Sequence, residues 1–280
     1  MRIAVLTDAV STEFYFPLWH KYYAAQVGAK NIYVLFPKDA KYDSEFFPLG
    51  GLYEFTKFDN LTRVIRTGEI VADLLSHYDY VIHVDTDEFL IANPYKFSSL
   101  RAYLNSLRAP IVTARGYNLI QGSDEPRLDL TRQLLHTQRN FMYPYSAVNK
   151  TCVVSVNTKW SPGFHFCNHQ PLFDDLLLVH AKLADVDIQI AIGREVAVRS
   201  DDAKFVEYHT TPVEVLEQRM ARMRNYAVLT ARNDLYRKDY NDEFLSKIRF
   251  VNAFGGIYHG EVLPPEQVLI TLDSHFMGVM

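Results

Sequence analysis

Apolar residues along the first third of the chain alternate between two spacings. Ile3-Ala4-Val5-Leu6 is a short continuous apolar run leading into Thr7-Asp8, as a strand buried on both faces would be. Phe16 to Val27 predicts a helix, with Gly28 as its stop, and Ile32 to Phe36 predicts a second strand closed by Pro37. Leu61, Val64, Ile65, Val71, Leu74 and Leu75 then recur at helical spacing, and Val81, Ile82 and Val84 form a third strand. This β-α-β-α-β order predicts an α/β fold with a mainly parallel sheet flanked by helices.

Further on, Asn93-Pro94 opens a predicted helix to about Leu107, and Ile111-Val112-Thr113 returns to the sheet. Gly116 to Pro144 reads as an irregular region over the site, and Cys152 to Val156 and Leu176 to Val179 as two more strands. Thr211-Pro212-Val213-Glu214 combines an N-cap, a first-turn proline and a capping-box glutamate. Val213, Leu216, Met220, Met223 and Ala227 follow as an apolar stripe, with Arg219, Arg222 and Arg224 read as a solvated face. With no repeat or linker, residues 1–280 read as one domain, a core to about 195 and a C-terminal helical extension over 196–280.

One strand in this pattern ends against expectation. Tyr80-Val81-Ile82-His83-Val84 runs straight into Asp85-Thr86-Asp87-Glu88, three carboxylates within four residues. In extended backbone Asp85 and Asp87 project to the same side. Two unit charges near 4 Å repel by roughly 4 kcal/mol at an effective dielectric of about 20. A hard divalent cation with oxygen ligands relieves that repulsion and leaves sites open for phosphate oxygens. The carboxyl end of a strand in an open α/β sheet is also where ligands bind, so the residues point to a metal-diphosphate site.

Composition narrows the classes. A net charge of -4 with no basic stripe argues against a nucleic-acid partner. Cys152 and Cys167 lack zinc-site spacing and suggest no disulfide framework, which fits a reducing, cytoplasmic setting. No apolar stretch reaches the roughly 20 residues that span a bilayer, leaving peripheral contact with the inner face of the membrane as the only membrane role expected.

Several patches in order resemble bacterial family-2-like glycosyltransferases of the GT-A (Rossmann-like) fold that carry an Asp-x-Asp-Glu-Phe signature, here Asp85-Thr86-Asp87-Glu88-Phe89. Phe16-Pro17-Leu18-Trp19-His20-Lys21-Tyr22-Tyr23 with Gly28 and Ile32-Tyr33-Val34 matches upstream. Gln138-Arg139, Asn149-Lys150, Trp160-Ser161-Pro162-Gly163-Phe164-His165 and the segment from Leu178 to Asp185 match downstream. The resemblance covers about the first 195 residues. It implies transfer of a sugar from a nucleotide-diphosphate donor, UDP-sugars favoured, to a hydroxyl of a saccharide or cell-surface glycan, with Mn2+ or Mg2+ as cofactor.

On that reading Asp87 is the expected direct metal ligand, with Asp85 beside it, and His180 completes the metal shell. Thr7, Asp8, Arg66, Asp85, Lys150 and Lys182 are the expected donor contacts, with Lys182 as a point charge for the departing diphosphate. Trp160 and His165, around the Pro162-Gly163 turn, are expected to hold a sugar ring. Asp124-Glu125 lies in the region where the family's catalytic base is sought, and His165 is a further candidate. Glu88 reads as structural support. Two alternatives share these residues: a GT-A-fold nucleotide-sugar binding protein without transfer, and a nucleotidyltransferase. A haloacid-dehalogenase-type phosphatase would want Thr or Val where Phe89 stands, and an EF-hand would want Gly at Leu90.

Overall fold

A computed structural model describes residues 1–93, 96–122, 125–131, 138–139, 141–144, 146–218, 221 and 270–271. The chain is a mixed α/β fold. Its strands are β1 (Ile3–Asp8), β2 (Ile32–Pro37), β3 (Gly51–Phe55), β4 (Tyr80–His83), β5 (Glu88–Ala92), β6 (Ile111–Ile120), β7 (Phe141–Pro144), β8 (Lys150–Val154), β9 (Phe173–His180) and β10 (Ile270–Thr271). Its α-helices with assigned bounds are α1 (Phe16–Val27), α2 (Asn60–Leu74), α3 (Leu100–Ser106), α4 (Val186–Arg199) and α5 (Ala203–His209).

The sheet runs β10-β7-β6-β8-β4-β1-β2-β3, with β9 paired to both β6 and β5. The strands β4-β1-β2-β3 are parallel to one another, as the βα rhythm predicts. Beyond β4 the character changes: β8 joins β4 and β6 antiparallel, and β7 joins β6 antiparallel, while β9 is parallel to β6. The Rossmann-like half is therefore extended by a largely antiparallel half.

Alternation along β1 explains why the sheet is covered on both sides. Ile3 and Val5 pack with Phe16, Trp19, Tyr23 and Val27 of α1, whereas Ala4 and Leu6 pack with Val64, Ile70, Val71 and Leu74 of α2. α1 has the bounds its sequence predicts, ending where Gly28 takes φ +88, a backbone that glycine adopts without a Cβ penalty. Asp59 caps α2 by accepting from Leu61 and Thr62 N–H, and Asp185 caps α4 through Asp187 and Ile188 N–H.

Several sequence expectations change. The acidic segment is not one strand: β4 stops at His83, the chain turns through 84–87, and β5 begins at Glu88. The helix expected from Asn93 shortens to α3. The segment expected to be irregular from Gly116 to Pro144 is strand as far as Ile120 and again over β7. The 195 boundary falls inside α4. The predicted helix start near Thr211 is present over 213–218, with Val215 and Leu216 N–H donating to Pro212 O. Met220, Met223, Ala227, Arg219, Arg222 and Arg224 lie outside the described residues. Both cysteines are free. Among the described residues, no helix is long and apolar enough to cross a membrane.

Candidate functional site

The carboxyl ends of β1 and β4 point into a cleft of about 360 Å³, bounded on its far side by α4 and α5. Asp8, Arg63, Asp85, Asp87, Glu88, His165, His180 and Lys182 all line it. The tight turn between β4 and β5 is what separates the acids. Glu88 N–H donates to Asp85 O (3.0 Å) and Asp85 N–H donates to the Glu88 carboxylate (2.7 Å). Glu88 thus staples the turn with its own side chain.

Because the backbone turns, Asp85 and Asp87 meet different partners. Asp85 Oδ1 lies 3.3 Å from Arg63 and 3.3 Å from Lys150 Nζ. Arg63 also donates to Asp8 Oδ2 at 2.5 Å, and Lys150 to Glu88 Oε2 at 2.7 Å. Both cations are buried and packed on aromatic faces. The Arg63 guanidinium sits 4.8, 5.2 and 5.6 Å from the ring centres of Phe58, Phe164 and Phe205, and Lys150 Nζ lies 5.2 Å from Phe164. Burial would raise the Asp85 carboxyl pKa, but Lys150 and Arg63 outweigh it and hold the group well below the carboxylate range. Glu88 goes the other way: burial raises it, against the pull of Lys150.

Asp87 instead faces His180, with Asp87 Oδ2 3.1 Å from His180 Nε2. The β5–β9 ladder fixes this, since Glu88 pairs with His180 and Ala181 N–H donates to Asp87 O at 2.7 Å. His180 Nδ1 is held by Asn118 Oδ1 at 3.3 Å, which orients the ring. Burial would lower the His180 pKa, but Asp87 raises it overall. Burial would raise Asp87, but His180 brings it below its ordinary value.

Two groups of side chains can be tested against a metal. Bonds of about 2.1 Å at right angles place neighbouring ligand atoms about 3.0 Å apart, the spacing of the Asp87 and His180 atoms. Asp8, His83 and Asp85 also bring ligand atoms within 4.8 Å of one another. Arg63 already bonds both of those aspartates, so a divalent ion there would sit against a guanidinium. Asp87 and His180, 3.1 Å apart, are hydrogen-bonded to one another and offer two ligand atoms, while the Asp8 group offers three but already holds a guanidinium.

The remaining expected site residues divide by location. His165 lines the cleft. Its Nδ1 is 3.2 Å from Asn149 O, and burial, then Lys150, lowers its pKa to about 4. Lys182 also lines the cleft, its ammonium 4.2 Å from the ring centre of Tyr208. Lys150 is fully buried, so it acts on Asp85 and Glu88 and has no surface to offer a donor. Thr7 is fully buried behind Asp8. Arg66 is exposed and paired with Glu69 on the helix surface.

Trp160 is not a sugar platform. It is buried at 5 % exposure, donates from Nε1 to Thr151 O (2.9 Å) and packs beside His83. Glu125 accepts from Gly122 N–H and lies 3.8 Å from the buried Arg139, away from the cleft-lining residues. Asp124 lies outside the described residues.

The sequence reading missed Arg63, His83 and the α4–α5 wall. A signal for Arg63 was present, because it falls with Thr67, Ile70, Val71 and Leu74 on the buried stripe of α2, where a charge needs a partner. Beneath it Phe164 holds φ +63, next to Gly163 at φ +85. A non-glycine residue in the left-handed region is uncommon and concentrates at functional sites. Here it presses a fully buried ring under both cations.

No family model matches the chain, and no curated protein matches it either. Among solved structures, the chain is similar to mannose-1-phosphate geranyltransferase from Thermus thermophilus at 11% identity and a TM-score of 0.30. The match covers 79% of this chain and 65% of that one.

Proposed function

We propose that this protein is a metal-dependent glycosyltransferase acting on a nucleotide-diphosphate sugar, with a saccharide hydroxyl as acceptor. The carrying observation is the Asp87–His180 pair, 3.1 Å apart in a cleft at the carboxyl ends of β1 and β4, with Lys182 lining the same cleft. A bound Mn2+ or Mg2+ would supply Lewis-acid charge for the diphosphate oxygens. Lys182 adds a second positive charge where the departing nucleoside diphosphate gains negative charge. The new bond joins the acceptor oxygen to the anomeric carbon, the bond from that carbon to the diphosphate oxygen breaks, and the hydroxyl proton goes to a base.

For that base the cleft offers His165. With Nδ1 directed at Asn149 O, its Nε2 carries the lone pair, and the ring is neutral above a pKa of about 4. For the sugar ring, the exposed aromatic of the cleft is Tyr208, 60% exposed, in place of Trp160. One observation favours a second reading, a nucleotide-sugar binding protein without transfer: Asp8 and Asp85 are already neutralised by protein cations.

Incubation with a panel of nucleotide sugars, Mn2+ and short saccharides tests both. Release of nucleoside diphosphate with a glycosylated product supports transfer. Metal-dependent thermal stabilisation by a nucleotide sugar without turnover supports binding alone. Neither effect with any donor would sink both.

A further inference from the structure

We propose that Arg63 is a built-in counter-cation that keeps Asp85 out of the metal's ligand shell, so that the ion is held on the protein side by Asp87 and His180. This rests on the metal-dependent reading above. Arg63 reaches the cleft from the buried stripe of α2 and bonds Asp8 and Asp85 at once, at 2.5 and 3.3 Å. Three aromatic rings within 5.6 Å enclose its guanidinium. Its position is therefore fixed by packing and is not left to a mobile surface side chain.

The consequence for the ion is a competition. Asp85 and Asp87 stand two residues apart, and a site of three ligands would take one oxygen from each. Asp85 Oδ1 is committed to both Arg63 and Lys150. Asp8 Oδ2 is committed to Arg63, and Asp8 Oδ1 faces His83 Nε2 at 3.5 Å. A divalent ion approaching Asp85 must displace a guanidinium that aromatic rings hold in place, or accept its repulsion. At Asp87 the partner is instead a histidine that can give up its proton to a metal, with the Lys182 charge near by. Arg63 is thus a positioning residue that acts through Asp85, by charge.

Mn2+ titration calorimetry on the full chain tests this by the sign of the change. Asp85→Asn is expected to bind Mn2+ within about threefold of wild type, and Asp87→Ala to lose binding. Arg63→Gln, which takes one of the two cations off Asp85 Oδ1 and leaves Lys150 in place, is expected to tighten Mn2+ several-fold. Arg63→Lys, which keeps the charge, should stay near wild type, and Arg63→Gln with Asp85→Asn should return there. A gain in affinity is not what a loosened fold produces. The proposal is overturned if Asp85→Asn loses Mn2+ as Asp87→Ala does, or if folded Arg63→Gln binds no tighter. Should Arg63→Gln fail to fold, Asp85→Asn and Arg63→Lys decide. A wild-type chain that takes up no Mn2+ sinks this inference and the metal-dependent reading together, whereas loss in Asp85→Asn alone sinks only this one.

Discussion

The acids of the Asp85–Glu88 turn meet two kinds of partner. Asp85 and Glu88, with Asp8 beside them, meet Arg63 and Lys150, all but Asp85 buried, and the charges compensate one another within the protein. Asp87 meets His180, a partner whose charge depends on pH and whose proton a metal can replace. The difference teaches that an acidic motif at a strand end can be half architecture and half chemistry. The turn between β4 and β5 sorts one half from the other.

Substitutions at the two kinds of pair should therefore fail in different ways. The largest effect on function is expected from Asp87→Ala, a loss of roughly a hundredfold or more in sugar transfer, measured by nucleoside diphosphate release, with the melting transition nearly unmoved. Unchanged turnover would break the comparison at Asp87. Lys150→Met should act on the fold, because it strands the buried Glu88 and half its neighbour's compensation. A cost of about 3–5 kcal/mol in urea unfolding is expected, partly recovered by adding Glu88→Gln.

The pH dependence sharpens the contrast. His180 is raised above its unfolded pKa of 6.5, so its contribution is complete below 6.5 and lost as pH climbs through the folded value. Asp87 is lowered from 3.8, so its contribution is complete above 3.8 and lost as pH falls through the folded value. Their pair stabilises most between those two limits. Mn2+ uptake should rise with pH as His180 gives up its proton. His165 has the opposite sense: its pKa falls from 6.5 to about 4, so the unfolded chain binds more protons in that window and stability drops on acidification. His165→Gln should flatten that acid limb by at most roughly 3 kcal/mol. The smallest effect is expected at Arg66→Ala, within about 0.5 kcal/mol and without change in transfer, because Arg66 is exposed on the outer surface of α2.

Much of the parallel half was legible from the chain alone. Long, strongly periodic segments such as α1 and α2 declare themselves, because their apolar faces must meet the sheet. β3 did not, since Gly51–Phe55 alternates between partly exposed and exposed positions until Phe55 and offers no continuous apolar run. The acids at Asp85, Asp87 and Glu88 were visible, but not that a turn divides them, because period-two reasoning presumes a strand that continues. Arg66 drew the donor role ahead of Arg63 although the helical stripe places Arg63 inward. Trp160 looked like a platform because sequence shows an aromatic beside a turn without showing that its indole N–H is spent on Thr151 O.

The pairing of Glu88 with His180 has a kinetic side as well. It joins strands whose members are roughly ninety residues apart, and a contact so distant must await closure of a long loop before it can form. Asp87 and His180 meet only once β9 has docked on β5. In a refolding chain, the ability to take up Mn2+ would thus mark the docking of β9 on β5, and could serve as its clock.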